Sequence, residues 1–179
     1  MNRIQNRVVL VVGLPASGKS TLIENQRVPG DIVIEYDQLL RAITRIPDHI
    51  HPMAALSPDD RRALIPVVMA ARSAILESLI AGDLKRFSGT VWITATATEA
   101  AKIEVLARRL GAEVIEMNAD RETCLSRAKS DSSRQGQDAR VAEAIDHYES
   151  CAKKAGSPRD MRRWANDVLD RRAMRKGSR

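Results

Sequence analysis

Residues Gly13-Leu14-Pro15-Ala16-Ser17-Gly18-Lys19-Ser20-Thr21 place two glycines, a lysine and hydroxyl side chains in the spacing GxxxxGK[ST]. Glycines at those positions let the backbone curl until its N–H groups converge on one point, which suits a phosphate chain. A helix opening directly behind the loop adds its positive end to the same point. Lys19 is then placed to reach β- and γ-phosphates, and the Ser20 hydroxyl to ligate Mg²⁺. The expected nucleotide-binding residues are Gly13, Pro15, Ala16, Ser17, Gly18, Lys19, Ser20 and Thr21, with ATP and Mg²⁺ as the expected cofactors. A loose pattern of this kind also arises by chance, but here a strand-like run precedes it and a helix-like run follows.

A second constellation follows in Ile34-Glu35-Tyr36-Asp37-Gln38-Leu39-Leu40-Arg41, where Asp37 and Arg41 stand one helical turn apart. Asp37 lies just beyond a strand, where ligand crevices form in open α/β sheets. It can accept the proton of an attacking hydroxyl or orient a metal-bound water, so it is a catalytic and a metal-site candidate. Arg41 can hold a phosphate of the acceptor. The bland alternative is a helix-capping aspartate with a surface arginine at i+4. His49 and His51 flank Ile50, but no further His or Cys ligand lies close by, so a metal pair is disfavoured. A loop lining the acceptor site fits better, with His51 as its candidate, while His147 reads as structural on a helix. Cys124 and Cys151 show no CxxC spacing and read as reduced thiols.

The elements needed to position these groups alternate. Val8–Val12 is an aliphatic run ending at a glycine, the pattern of a strand buried on both faces. Helix is expected from Ser20 to about Gln26, strand over Ile32–Glu35, then helix through Leu39, Leu40 and Ile43. Residues 45–60, with three prolines, read as loop. Ser57 and Pro58 are a cap and a first helical position for a helix running to Ala81, inside which Pro66 can introduce a kink. Thr90–Thr94 is the third strand, and Thr98 caps a helix that continues to Gly111. Val114–Met117 is the fourth strand, and a short helix opens at Asp120-Arg121-Glu122. A polar segment over 129–138 precedes two last helices, from about Ala139 to Ala155 and from about Arg159 to Arg175. Such alternation implies a parallel α/β sheet with helices on both sides.

The 179 residues suit one domain over 1–155 with a basic helix over 156–179 packed on it or extending from it. The net charge is +6, and residues 153–179 hold ten Lys/Arg against three acids, a cluster able to attract a polyanion. Met161, Trp164, Val168 and Leu169 form an apolar stripe there at helical spacing, the pattern of a helix packed on the core. Five aromatic residues are few for a surface that stacks bases. The N-terminal residues before Val8 have neither the apolar stretch of a signal peptide nor a membrane-spanning segment, so the expected location is cytoplasmic, with no membrane partner.

Over residues 6–150 the chain resembles the small P-loop kinases, in particular the kinase domain of bacteriophage polynucleotide kinases. The likeness rests on GLPASGKST, the aspartate after the second strand, the unit TVWITATATEAAKIEVLARRLGAEVIEM, and the basic helix and lid ETCLSRAKSDSSRQGQ. It implies a three-layer P-loop NTPase fold with a short four-stranded parallel sheet. It implies Asp37 as the group acting on the acceptor hydroxyl. Arg41 stands one position from the family's phosphate-binding arginine. Arg127 is the nearest match to the arginine that stabilises the transferring phosphoryl group, with Arg134 and Lys129 as alternatives. One departure stands out: the third strand of such proteins ends in an acid, whereas Val91-Trp92-Ile93 runs into Thr94-Ala95-Thr96-Ala97-Thr98. The expected activity is ATP-dependent transfer of a phosphoryl group to a hydroxyl of a nucleic acid or nucleotide. The acceptor is a 5′-hydroxyl end, a hydroxymethylated pyrimidine in DNA, or a free nucleoside or small metabolite. A regulatory ATP-binding module and a nucleic-acid-binding ATPase are the alternatives, the missing acid counting against a motor.

Overall fold

A computed structural model describes residues 7–84, 86–96, 100–134 and 138–154. The Thr98 cap, the centre of the polar segment and the basic C-terminal helix lie outside the described residues, as does the side chain of Arg134. Four strands, β1 (Arg7–Val12), β2 (Ile32–Ile34), β3 (Thr90–Ala95) and β4 (Glu113–Glu116), form one parallel sheet in the order β2-β3-β1-β4. The helices are α1 (Lys19–Gln26), α2 (Tyr36–Thr44), α3 (Pro52–Ala55), α4 (Pro58–Ala81), α5 (Ala100–Leu110), α6 (Arg121–Ser130) and α7 (Asp138–Lys154). The architecture is the P-loop NTPase α/β fold.

Alternation along β1 builds the two halves of the core. Leu10 and Val12 face one side with Ile34, Val91, Ile93 and Leu76 of α4, where Ile103 and Leu106 of α5 also pack. Val9 and Val11 face the other side with Ile23 of α1 and Trp92. Each fully buried aliphatic side chain of this kind contributes about 1.5–3 kcal/mol relative to exposure. A third cluster, Cys124, Ala128, Val141 and Ile145, joins α6 to α7 and touches Leu14 and Ala16 of the phosphate loop. Burial pushes the Cys124 thiol above its ordinary range, which suits a packing residue.

Asp31 fastens the sheet at the end away from the loop. Its carboxylate accepts from the Thr90 N–H at 2.9 Å and from the indole Nε1–H of Trp92 at 3.0 Å. Those bonds, the indole's first, hold the carboxyl below the usual range.

Several boundaries differ from the sequence expectation. Residues 45–60 are not all loop: Pro52 opens the short α3, and His51 caps it by accepting from the Met53 N–H. The strand β2 ends at Ile34, which leaves Glu35 as the extended cap of α2. Helix α6 runs on to Ser130, and a 3₁₀ turn spans Ser132–Arg134, so the start of the polar segment is ordered structure. Helix α4 passes through Pro66 without interruption, capped by Ser57 and closed by Gly82 in the left-handed conformation. By length and composition α4 could cross a membrane, with mean hydropathy 1.7 over its most apolar window. In the fold it packs Val68 and Leu76 inward and donates Arg72 to a strand end.

Candidate active site

The loop between β1 and α1 is shaped by close approach. A Cβ on Gly13 would lie 2.8 Å from Met117 Cβ and 2.8 Å from Ser17 Oγ, so only glycine fits. Gly18, at φ 98°, caps α1 in the left-handed region, and Ala16 adopts φ 57° at a cost of about 1–2 kcal/mol. Strain of this kind held at a loop is characteristic of ligand sites. Lys19 lies folded back on the loop, its Nζ donating to Gly13 O at 3.0 Å and Leu14 O at 2.7 Å. The buried Ser17 hydroxyl has no hydrogen-bond partner among the described residues.

These residues form the floor of a cleft of about 1060 Å³ at the carboxyl ends of the strands. Pro15 to Thr21 line it, as do Asp37, His51 and Met53. Arg127 of α6 reaches over the loop, its guanidinium donating to Ser17 O at 2.8 Å. Asp37 and His51 are paired, with Nε2 3.2 Å from Asp37 Oδ2 and side-chain exposures of 12% and 33% for His51 and Asp37. Tyr36 also lines the cleft, and burial followed by the neighbouring Asp37 charge raises its hydroxyl above the ordinary value.

Arg41 is placed elsewhere. Its guanidinium donates to the carbonyls of Ile46, Pro47 and Ile50 and pairs with Asp48 at 3.5 Å, so it fastens the loop between α2 and α3. It is not among the residues lining the cleft. Lys129 lies exposed on the last turn of α6, and Arg134 ends the 3₁₀ turn. His147, expected to be structural, stands on the cleft wall.

Three cleft residues were not singled out by the sequence. Glu35 accepts from the Ser20 hydroxyl at 2.5 Å. Since Ile34 pairs with Ile93, Glu35 is level with Thr94, one strand over from the end of β3 that carries no acid. The signal was an acid immediately after a strand, obscured because Glu35 reads equally as strand. Arg72 lines the cleft from α4 and donates to Thr94 O at 2.9 Å. Arg140 lines it from α7 and donates to Met53 O at 3.4 Å. Nothing local in the sequence marks either arginine, because helix phase decides which way each points.

The set suits a divalent cation. Ser20 supplies a hydroxyl oxygen, Glu35 a carboxylate already at that hydroxyl, and Asp37 a second carboxylate in the same cleft. Hard oxygen donors of this type, completed by phosphate oxygens and water, match Mg²⁺. Among the described residues no group of three or more His, Cys, Asp or Glu could hold a metal alone, so the phosphates would have to complete the shell.

Solved structures similar to this chain include the Deinococcus radiodurans tunicamycin resistance protein, at 16% identity over 80% of each chain, with TM-score 0.46. The Thermus thermophilus protein TT1252 is 22% identical over 93% of this chain and 98% of its own, with TM-score 0.47. A gluconokinase from Sinorhizobium meliloti 1021 is 16% identical over 95% of this chain and 99% of its own, with TM-score 0.44. No curated protein matches the chain by sequence. The family model AAA_33, an AAA domain, matches residues 8–151, and the chain belongs to that family.

Proposed function

We propose that the protein is an ATP-dependent kinase that moves the γ-phosphoryl group to a hydroxyl of a nucleic acid or nucleotide. The observation that carries the reading is the arrangement of one cleft. A phosphate loop with its lysine and a carboxylate beside a histidine line the same cleft. Phosphoryl transfer needs little more than positioning and charge compensation, and both are supplied here. Asp37 accepts the proton of the attacking hydroxyl. Lys19 leaves the loop carbonyls for the phosphates, and Arg127 compensates charge on the transferred group. Ser20 and Glu35, with Asp37 in the same cleft, would hold Mg²⁺, which would neutralise phosphate charge when bound. Arg72 and Arg140 bring two guanidinium groups to a cleft that Glu35, Asp37, Asp131 and Glu143 also line, and a guanidinium can bind a phosphate of the acceptor. The order of motifs resembling phage polynucleotide kinases favours the same acceptors. The cytoplasm, where ATP and Mg²⁺ are available, is the proposed location.

The test is transfer of labelled γ-phosphate to a panel comprising 5′-hydroxyl DNA, 5′-hydroxyl RNA, hydroxymethylated duplex DNA and free nucleosides. One acceptor should be labelled by the wild type, and Lys19→Ala should abolish labelling. ATP binding through Lys19 with no acceptor labelled would leave a regulatory ATP-binding module. Phosphate release stimulated by DNA without a labelled product would select an ATPase instead.

The acid-free end of β3 is the observation that favours a non-catalytic module, and Glu35 answers it. Glu35→Gln should raise the Mg²⁺ concentration needed for half-maximal nucleotide binding by about 10–100-fold. A Mg²⁺ titration of nucleotide affinity checks this, and an unchanged midpoint would remove Glu35 from the metal site.

A further inference from the structure

We propose that His51 is a positioning residue that aims the Asp37 carboxylate and ties it to the turn following α6. The inference rests on the kinase reading for its activity arm and on the geometry alone for its spectroscopic arm.

The one hydrogen bond made by the ring among the described residues assigns its tautomer. Nδ1 accepts from the Met53 N–H at 3.3 Å, so it carries no proton. In the neutral ring the proton is therefore on Nε2, which stands 3.2 Å from Asp37 Oδ2. The Nε2–H lies off the hydrogen-bond axis. Such looseness is usual for catalytic groups before the substrate arrives. A ring N–H that turns onto the nearer Asp37 oxygen when the acceptor binds would leave the other oxygen for the acceptor hydroxyl.

The backbone of the same residue reaches the other side of the cleft. The His51 N–H donates to Ser133 O at 3.1 Å, across a wide separation in sequence. Ser133 is in turn fixed by Asp131, whose Oδ1 accepts from the Ser133 N–H at 3.0 Å and hydroxyl at 2.6 Å. Asp131 follows α6, the helix that carries Arg127, and it lines the cleft. His51 thus connects the proposed base on α2 with the element that carries the arginine. One residue sets the spacing between the acceptor side and the phosphoryl side. A bare surface loop would need neither the largely enclosed ring nor the backbone bond to Ser133.

Three variants separate positioning from capping. His51→Asn keeps a side chain able to cap α3 but too short to reach Asp37. His51→Leu loses both contacts, and His51→Gln keeps a donor near the position of Nε2. Asn and Leu should each lower kcat by about 10–10²-fold with ATP affinity unchanged. Gln should restore most of the loss. Full activity in the Asn variant would show that the role is capping only and overturn the proposal. The second measurement is the ¹⁵N–¹H correlation spectrum of the histidine rings in wild type and Asp37→Ala. It should show the Nε2–H tautomer for His51 in the wild type, with the Nε2 resonance shifted by Asp37→Ala. The Nδ1–H tautomer, or an Nε2 signal indifferent to Asp37→Ala, would overturn the proposal. If no acceptor is phosphorylated, the kinase reading fails while the spectrum still decides the His51–Asp37 pairing.

Discussion

Arg127→Ala should lower the rate of phosphoryl transfer by about 10³–10⁵-fold. The guanidinium already lies over the phosphate loop, donating to Ser17 O at 2.8 Å, and a Cβ on Gly18 would be 3.5 Å from its nitrogen. It is delivered by a helix anchored through the buried Cys124 and Ala128, so its position does not depend on a loose loop. Charge spreads over the equatorial oxygens in the transition state, and a fixed planar cation there acts more strongly than it does on bound ATP. The loss should therefore appear in single-turnover transfer, with ATP affinity changed much less. Arg127→Lys should not restore the rate, because an ammonium cannot present the same fork of donors. A thermal melt run alongside checks that losing the bond to Ser17 has not unfolded the loop. Transfer within tenfold of wild type would remove Arg127 from the role and leave Arg134 as the arginine to test.

Asp37→Asn carries the second large effect, a loss of about 10²–10⁴-fold in kcat. Asparagine matches the shape of the carboxylate and can still face His51, yet it cannot take a proton. The defect should thus be confined to the chemical step, with ATP affinity and folding kept. Tritrating the acceptor in steady state at saturating ATP separates kcat from KM. A variant that loses only acceptor affinity would show that Asp37 binds the hydroxyl without accepting its proton. A variant with intact transfer would end its assignment as the base.

The phosphate loop was legible because its chemistry is local. Glycines at fixed spacing within one short segment set the backbone path, as the close approach at Gly13 and the left-handed Gly18 bear out. Strand and helix order was legible for a related reason, since runs such as Val8–Val12 stop at glycines and Ser57-Pro58 opens α4. What failed to show depended on direction in space. Arg41 and Asp37 sit on the same helix, yet one turns toward loop carbonyls and the other into the cleft. Arg72 and Arg140 enter from distant helices, and no spacing in the sequence connects them with the loop. Helix α3 was hidden among prolines that signal loop when read singly, although Pro52 occupies a favoured first helical position. The full length of α6 was hidden because it buries the small Cys124 and Ala128 in place of a broad apolar stripe.

The strand order has a consequence for how the chain is made. β1 pairs on one side with β3 and on the other with β4, so both its neighbours are synthesised long after it. At about 5–20 residues per second, ribosomal synthesis would leave β1 waiting roughly 4–17 s for the end of β3. During that interval Val8–Val12, the most apolar run of the sheet, has no strand to pair with and invites wrong partners. A sheet closed only by contacts distant in sequence also folds slowly once complete. Of the four strands, the one that anchors the phosphate loop is thus the first made and among the last secured, which exposes the nascent chain to holding by chaperones.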